Sequence, residues 1–195
     1  MHHLKMTHYV VGYLHTTEDL PLVLGGAPDV QVTGFSDSSF GTGPKGRSIS
    51  GWLIKLNEEA GAVFSKSSAG HSVTMSTFES ELDAATSAMK SLTIMSNMVE
   101  DLGLPYKMPA LLYCDNKAMV DFVKGEGVAR GARHMERRLW YTRERVTLGK
   151  IFVFFMEGKR IPADKLTKLG NKQEHRAFTK DILGLGLIGY HFADE

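Results

Sequence analysis

Residues 110–115 are Ala-Leu-Leu-Tyr-Cys-Asp, a continuous apolar run that ends in an acid. Residues 151–156, Ile-Phe-Val-Phe-Phe-Met, form a second run of the same kind. Helical segments bracket both runs. Short continuous apolar runs in such a setting are typical of strands that are buried on both faces of a partly parallel sheet. The sequence therefore predicts two parallel strands, with Asp115 at the carboxyl end of the first.

Three earlier segments predict an antiparallel meander. Residues 30–37 alternate, with Val30, Val32 and Gly34 on one face. Residues 50–56 and 62–65 follow, and the turn-like sequence Asn-Glu-Glu-Ala-Gly separates these two segments. With the two parallel strands they make a five-stranded mixed sheet with helices packed on it, which is an α/β fold.

Glycine-rich sequence divides the chain into three parts. Residues 24–28 are Leu-Gly-Gly-Ala-Pro, which breaks any regular element. Before this break, Leu4, His8, Val11 and Leu14 recur every three to four positions and predict an amphipathic helix. Glycines recur again after Leu183. We therefore expect a helix and linker at 1–26, the main domain at 27–183, and a loose tail that packs somewhere at 184–195.

The composition excludes several classes of protein. The chain has 195 residues with a formal net charge of +1, so it is neither a polybasic tail nor an acidic solvating segment. One cysteine, Cys114, excludes an internal disulfide framework and a multi-cysteine zinc site. The longest apolar run is far shorter than the roughly 20 residues that span a bilayer. These features predict a soluble intracellular protein that makes no membrane contact.

A long helix is predicted to begin near Ser76. Ser76 and Glu79 have the spacing of a capping box. The apolar stripe of this helix comprises Phe78, Leu82, Ala85, Met89 and Leu92. At about 100° per residue, Glu81 lies closer to the axis of that stripe than Glu79 or Asp83 does. Of these three acids, Glu81 is the one expected to border the sheet.

Four acids are candidates for one site. Asp37 and Asp115 end predicted strands, and the carboxyl ends of strands are where α/β sheets form binding crevices. Glu81 and Asp164 reach the same crevice from helices, the second of which opens at Pro162-Ala163-Asp164. Taken singly, each acid has an ordinary structural explanation, as a turn former or as a residue that compensates a helix dipole. Their joint occurrence favours a site.

Converging carboxylates require cations. Four such charges within a few ångström raise one another's pKa values unless a cation neutralises them. Ligation by oxygen alone suits Mg²⁺ or Mn²⁺ and not zinc. Two such ions are the usual device for in-line phosphoryl displacement. The acids therefore indicate a two-metal site.

Seven segments resemble the ribonuclease H domain of the reverse transcriptase polyprotein of Ty1/copia-type retrotransposons. The matching segments, in family order, are 34–40 (GFSDSSF), 47–52 (RSISGW), 64–68 (FSKSS), 76–82 (STFESEL), 113–118 (YCDNKA), 133–138 (RHMERR) and 163–168 (ADKLTK). The resemblance covers roughly residues 30–170. Residues 1–26 look like the end of the neighbouring reverse transcriptase, so the chain looks like a C-terminal piece of a larger polyprotein.

The resemblance implies a fold, an activity and a set of ligands. The fold is the ribonuclease H-like fold, and the activity is hydrolysis of the RNA strand of RNA/DNA hybrids with two Mg²⁺ ions, for which Mn²⁺ substitutes. Asp37 would bridge both ions, Asp164 would bind the water-activating ion, and Glu81 and Asp115 the other. The products would end in a 3′-hydroxyl and a 5′-phosphate. No counterpart of the family's histidine loop precedes Asp164, since residues 157–162 are Glu-Gly-Lys-Arg-Ile-Pro.

The same resemblance implies partners and a location. The partners are the hybrid and the reverse transcriptase portion of the same polyprotein. The location is the cytoplasm, inside a virus-like particle. Two other functions stay open, a catalytically silent scaffold or connection module of a reverse transcriptase, and a domesticated nucleic-acid-binding protein. An integrase-like nuclease is a weaker alternative, because residues 163–168 favour ribonuclease H.

A basic segment is the candidate surface for the nucleic-acid backbone. Residues 124–150 contain eight Lys and Arg against three Glu, a local charge of +5. The predicted phosphate contacts are Lys124, Arg130, Arg133, Arg137 and Arg138. Ser38, Ser39 and Asn116 are candidates for contact with the 2′-hydroxyl, because they lie near the acids. Asn116 has a simpler alternative role as a helix cap.

Overall fold

A computed structural model describes residues 2–70, 73–125 and 135–192. It contains a five-stranded mixed sheet with the order β3-β2-β1-β4-β5. The strands are β1 Thr33–Ser39, β2 Ile49–Lys55, β3 Ala62–Ala69, β4 Ala110–Cys114 and β5 Ile151–Phe155. The β1-β2 and β2-β3 pairs are antiparallel, and the β1-β4 and β4-β5 pairs are parallel. The predicted α/β fold, with an antiparallel meander and two parallel strands, is confirmed.

Helices flank this sheet. They are α1 His2–Thr16, α2 Thr77–Asp101, α3 Lys117–Val123, α4 Glu136–Thr147, α5 Asp164–Thr167 and α6 Lys172–Ile182. The long α2 lies against β1, where a Cβ on Gly34 would be only 3.1 Å from Leu92 Cδ1. A glycine at this position lets helix and sheet approach closely. Within the described ranges, no helix is both long and apolar enough to span a bilayer.

Several predicted bounds are wrong. β1 begins at Thr33 and not at Val30, which makes only an isolated bridge to Tyr106. β3 continues to Ala69 instead of ending at residue 65. The expectation that β5 is buried on both faces is also wrong, because Phe152 is 45% exposed. β5 is an edge strand, and its position in the strand order was not predicted from the sequence.

The start of α2 confirms most of the predicted capping. Ser76 Oγ accepts a hydrogen bond of 3.1 Å from the backbone N–H of Glu79. The carboxylate of Glu79 accepts one of 2.7 Å from the N–H of Met75, and not from that of Ser76 as a capping box requires. Glu81 is buried against the sheet as the wheel predicts. Glu79 is buried as well, because it serves the cap.

The two ends of the chain pack on neighbouring parts of the main body. Most of α1 is exposed, and the Tyr13 ring contacts the His175 ring at 5.4 Å between centroids. Further along, Val23 N–H donates to Leu183 O at 2.9 Å. Leu185, in the short 3-10 turn Leu185–Ile188, is fully buried. The domain boundaries at residues 26 and 183 stay predictions.

Candidate active site

Three of the four predicted acids converge at one edge of the sheet. β1 and β4 are parallel with Ser36 opposite Cys114, so Asp37 and Asp115 lie beside each other where the pairing of these two strands stops. The expectation that Asp37 ends its strand is wrong, because β1 continues to Ser39 along β2. Glu81, in the first turns of α2, faces both. One carboxylate oxygen of each acid lies within 4.8 Å of the other two. The structure therefore brings these three predicted residues together, and their role as a site stays a prediction.

Burial and like charge disfavour ionisation of this cluster. Burial, followed by the charges of Asp115 and Asp37, raises the pKa of Glu81 to about 8. Burial also raises the pKa of Asp37 and that of Asp115. Without a counter-charge, the three acids would share fewer than three negative charges near neutral pH.

Two oxygens of the cluster have no hydrogen-bond partner among the described residues. They are Asp37 Oδ1 and Glu81 Oε2, and both are buried. A buried polar atom without a partner is costly, and a native structure usually satisfies it with water or an ion. Oxygen donors on carboxylates suit Mg²⁺ or Mn²⁺. Asp37, Glu81 and Asp115 therefore fit a divalent cation.

The fourth acid, Asp164, lies on α5 and does not join the cluster of three oxygens. α5 packs directly on β2, where a Cβ on Gly51 would lie 2.7 Å from Leu166 Cβ and 2.8 Å from Thr167 Cγ2. Gly51 is opposite Asp37 in the sheet. The contact from α5 to Asp37 is a hydrogen bond donated by the Thr167 hydroxyl to Oδ2.

Lysines surround the Asp164 carboxylate. Lys168 Nζ is 2.5 Å from Asp164 Oδ1 and 3.7 Å from Asp37 Oδ2, so one ammonium links the two acids. Lys165 Nζ is 3.2 Å from Asp164 Oδ2. Burial raises the pKa of Asp164, but hydrogen bonds and charge from Lys168 and Lys165 outweigh burial and hold that pKa below its usual value. Asp164 therefore lies beside the cluster and not within it, close enough that its charge raises the pKa of Asp37 and that of Asp115, and its role as a fourth ligand stays a prediction.

Curated relatives of the chain are retrotransposon polyproteins, although no family model matches it. The chain is 26% identical, over 94% of its length, to the retrovirus-related Pol polyprotein from transposon TNT 1-94 of Nicotiana tabacum. It is 27% identical, over 85% of its length, to a transposon Ty1 Gag-Pol polyprotein of Saccharomyces cerevisiae. The chain spans only 14% and 10% of these two relatives.

Solved structures share the fold. LC11-RNase H1, isolated from compost, matches with a TM-score of 0.55 and 16% identity over 70% of this chain and 91% of that one. The N-terminal RNase H domain of a Mycobacterium tuberculosis protein gives 0.54 and 14% over 78% and 98%. LC11-RNase H1 in complex with an RNA/DNA hybrid gives 0.54 and 13% over 70% and 93%.

The chain has the ribonuclease H fold, and its relatives are Ty1/copia-type Pol polyproteins. In this ribonuclease H-like domain, the candidate residues for hydroxyl contacts are already engaged. Ser38 Oγ donates to Ser80 Oγ at 2.9 Å, and Ser39 Oγ accepts from Thr42 at 2.8 Å. Asn116 accepts from the N–H of Met119 at 2.9 Å and caps α3. A role in reading the 2′-hydroxyl stays a prediction for all three candidates.

Three of the five candidate phosphate contacts are among the described residues, Lys124 directly after α3 and Arg137 and Arg138 on α4. Lys124 Nζ lies 5.6 Å from the centroid of the Phe154 ring, and Arg137 is exposed. Arg138 Nε lies 2.8 Å from Asp83 Oδ1. Two more predicted contacts, Arg130 and Arg133, are outside the described residues. Phosphate binding by these five side chains stays a prediction.

The sequence reasoning missed Thr167, Lys168 and Gly51. Thr167 and Lys168 follow Asp164 by three and four positions, a spacing that places side chains on one face of a helix. That signal was present in the sequence. Their contacts with Asp37 were not predictable in this way, because 130 residues separate Thr167 from Asp37.

Proposed function

We propose that the chain is a metal-dependent ribonuclease H that hydrolyses the RNA strand of RNA/DNA hybrids during retrotransposon reverse transcription. The supporting observation is the cluster of Asp37, Glu81 and Asp115, whose oxygens lie within 4.8 Å of one another. The fold adds support, because one of its solved relatives is in complex with an RNA/DNA hybrid. The polyprotein relatives support the retrotransposon context.

Asp37, Glu81 and Asp115 would hold Mg²⁺, with Asp164 as a further ligand in the two-ion arrangement. A pair of bound ions activates a water and stabilises the leaving oxygen of an in-line displacement. The chain's own residues prepare Asp37 for this role. Thr167 donates to Oδ2, while Oδ1 is buried and has no hydrogen-bond partner in the described part of the chain. The products of this hydrolysis are a 3′-hydroxyl and a 5′-phosphate.

The proposal includes a partner and a location. The partner, besides the hybrid, is the reverse transcriptase portion of the same polyprotein. The location is the cytoplasm, inside a virus-like particle. The small share of the polyprotein relatives that the chain spans is consistent with one domain of a larger product.

Cleavage of a labelled hybrid tests the activity. The parent protein should cut the RNA strand with Mg²⁺ or Mn²⁺ and leave a DNA duplex of the same sequence intact. Asp115→Asn should lower the rate at least about 10³-fold, because it removes a metal ligand. Asp101→Asn, an exposed acid at the end of α2, is the matched control. Equal cleavage by the parent and Asp115→Asn would contradict the assignment.

A catalytically silent module is the second candidate function. The observation that favours it is the ammonium of Lys168 between Asp37 and Asp164, where a cation already neutralises part of the site. A silent module would bind the hybrid but show no Mg²⁺ binding at millimolar concentrations by calorimetry. Mg²⁺ binding that is lost in Asp115→Asn would exclude this candidate.

A further inference from the structure

We propose that the outer edge of β5 pairs with β5 of a second copy of the chain, so that the two sheets join across a two-fold axis. β5 is the last strand in the order β3-β2-β1-β4-β5, and within the described part of the chain only β4 pairs with it. The inference goes beyond the proposed function, because it concerns an edge of the sheet and not the acids. We call the outer side of residues 151–155 the β5 edge.

Half of the backbone hydrogen-bonding groups of β5 face away from the sheet. Met156 N–H donates to Cys114 O at 2.9 Å, so the even-numbered residues of β5 direct their backbone groups toward β4. Consecutive residues of a strand direct these groups to opposite sides. None of the residues that the structure describes bonds to the outward groups. These outward groups are the N–H and C=O of Ile151, Val153 and Phe155.

The two edges of the sheet differ in how they are protected. Exposed edge strands usually carry charges, prolines or bulges, which prevent pairing with another chain. β3, at the other edge, contains Lys66 and three serines. β5 reads Ile-Phe-Val-Phe-Phe, with no charge, no proline and no register shift against β4. The β5 edge therefore has the character of an edge that a partner covers.

Exposed phenylalanines accompany the β5 edge. Phe152, Phe154 and Phe155 are 45%, 39% and 51% exposed. Phe152 and Phe154 lie on one face of the sheet, because alternate residues of a strand share a face. Lys124 covers only part of the Phe154 ring, with its Nζ 5.6 Å from the ring centroid. Neighbouring large apolar side chains that are left exposed together mark an interaction surface.

Antiparallel pairing about Val153 satisfies both the backbone and the phenylalanines. In that register Ile151 is opposite Phe155 of the second copy, so the outward groups of the two edges bond to one another. Phe152 is then opposite Phe154 of the second copy, and the symmetric pair repeats this contact. Residues that face each other between hydrogen-bonded pairs have Cα atoms about 4.5 Å apart, which brings their side chains into contact. Four phenylalanine rings therefore cover one another on one face.

The charges that flank β5 select a second copy in the antiparallel orientation. Lys150 precedes the strand and Glu157 follows it, and both are exposed. In the antiparallel register residue 149 faces residue 157 of the second copy, so each end of the pair brings Lys150 of one copy near Glu157 of the other. Parallel pairing would bring like charges together instead, which is unfavourable. A second copy of β5 therefore matches this edge in hydrogen bonding, shape and charge.

Sedimentation velocity of the full chain over a wide range of concentration tests the dimer. The parent should be monomeric when dilute and dimeric when concentrated. Lys150→Glu and Glu157→Lys each place like charges at both ends of the pair, so each should weaken the dimer at least about tenfold. The double variant Lys150→Glu/Glu157→Lys restores opposite charges and should recover the parent affinity. Lys5→Glu, at an exposed residue of α1, is the matched control and should dimerise like the parent.

Amide hydrogen exchange locates the contact. The N–H groups of Ile151, Val153 and Phe155 should exchange quickly in the dilute parent and slowly in the concentrated one. The N–H groups of Phe152 and Phe154 face β4 and should be slow at both concentrations, which makes them internal controls.

Three results would overturn the inference. The first is a parent that stays monomeric at every concentration. The second is a dimer that the single charge variants leave unchanged, or whose outward amides exchange as quickly as those of the monomer. The third is slowing of these amides only when the reverse transcriptase portion of the polyprotein is added, which would make that portion the occupant of the β5 edge.

Discussion

The acidic site has two parts, the cluster of Asp37, Glu81 and Asp115 and the separate acid Asp164, and buried negative charge is compensated differently in each. At Asp37, Glu81 and Asp115 the pKa of each acid is raised, first by burial. Lys168 lies 3.7 Å from Asp37 Oδ2 and lowers the pKa values of Asp37 and Asp115, but burial outweighs it. Asp164 is held by Lys165 and Lys168, and its pKa is lowered because these lysines outweigh its burial. Counter-charge from lysine outweighs burial at Asp164, whereas at the three clustered acids burial outweighs counter-charge.

The difference follows from the elements on which the acids lie. Asp37 and Asp115 are fixed by the register of β1 and β4, and Glu81 by the packing of α2. The pairing of β1 with β4 and the packing of α2 hold these like charges together. The folding free energy of the sheet offsets the cost of their repulsion. Asp164 lies on a helix of four residues, where Lys165 and Lys168 are its sequence neighbours. A divalent cation should therefore bind more favourably at Asp37, Glu81 and Asp115 than at Asp164.

The largest expected effect is on Mg²⁺ binding and cleavage, and it should differ between variants of the two parts. Asp37→Asn should abolish Mg²⁺ binding and reduce cleavage at least about 10³-fold, because it removes the acid that both parts share. Asp164→Asn should leave Mg²⁺ binding at the three clustered acids in place. Isothermal calorimetry with Mg²⁺ measures the difference. Equal loss of binding in the two variants would show that the site is not divided in this way.

The pH dependence of stability sharpens the comparison. In the metal-free protein the pKa of Glu81 is raised from 4.5 to about 8, so the folded state holds a proton that the unfolded state releases. The stability that this proton contributes is fully present below pH 4.5 and is lost as the pH rises through about 8. The slope is at most about 1.4 kcal/mol per pH unit.

Glu81→Gln should remove the contribution of Glu81 to the pH dependence and leave those of Asp37 and Asp115, whose pKa values are also raised. Glu59→Gln, at an exposed acid, should keep the full pH dependence of the parent. Urea unfolding in EDTA between pH 5 and 9 gives the free energies of unfolding. If Glu81→Gln loses stability with rising pH as steeply as the parent does, Glu81 is not protonated in the folded protein.

Gly51 determines how closely α5 approaches Asp37. In Gly51→Ala the new Cβ would lie 2.7 Å from Leu166 Cβ, so α5 must move. We expect a loss of about 1–3 kcal/mol in the free energy of unfolding and a lower rate of cleavage. Gly186→Ala is the matched control, because nothing lies within 4 Å of its added Cβ. Unchanged stability and cleavage in Gly51→Ala would show that α5 tolerates displacement.

The smallest effect concerns the internal cation. Lys168→Met should strengthen Mg²⁺ binding several-fold, because the ammonium near Asp37 Oδ2 and Asp164 Oδ1 no longer competes with the ion. Since Lys168 is half exposed, the metal-free protein should lose no more than about 1 kcal/mol. Lys165→Met should change Mg²⁺ binding less. A Mg²⁺ titration followed by thermal unfolding compares the three proteins, and weaker binding in Lys168→Met would contradict competition.

Strands and acids were predictable where local sequence determines them. β4 is Ala110–Cys114, as the apolar run predicts. A short unbroken apolar run that is followed by an acid is typical of a strand inside a partly parallel sheet. Glu81 was identified from helical periodicity alone, since a 3.6-residue repeat fixes which acid faces the sheet. The exposure of Phe152 was not predictable, because it depends on which strand lies at the edge.

Contacts between distant parts of the chain were not predictable. Lys168 and Thr167 stand beside Asp164 in the sequence, but their contacts with Asp37 depend on where α5 docks. That docking depends in turn on the missing side chain of Gly51.

Crystals grown without metal and then soaked in Mn²⁺ test the central assignment most directly, through the anomalous scattering of manganese. We predict an anomalous peak between the carboxylates of Asp37, Glu81 and Asp115, with Lys168 Nζ moved away from Asp37. No peak at millimolar Mn²⁺, with the Lys168 ammonium still in place, would contradict a cation site at these acids.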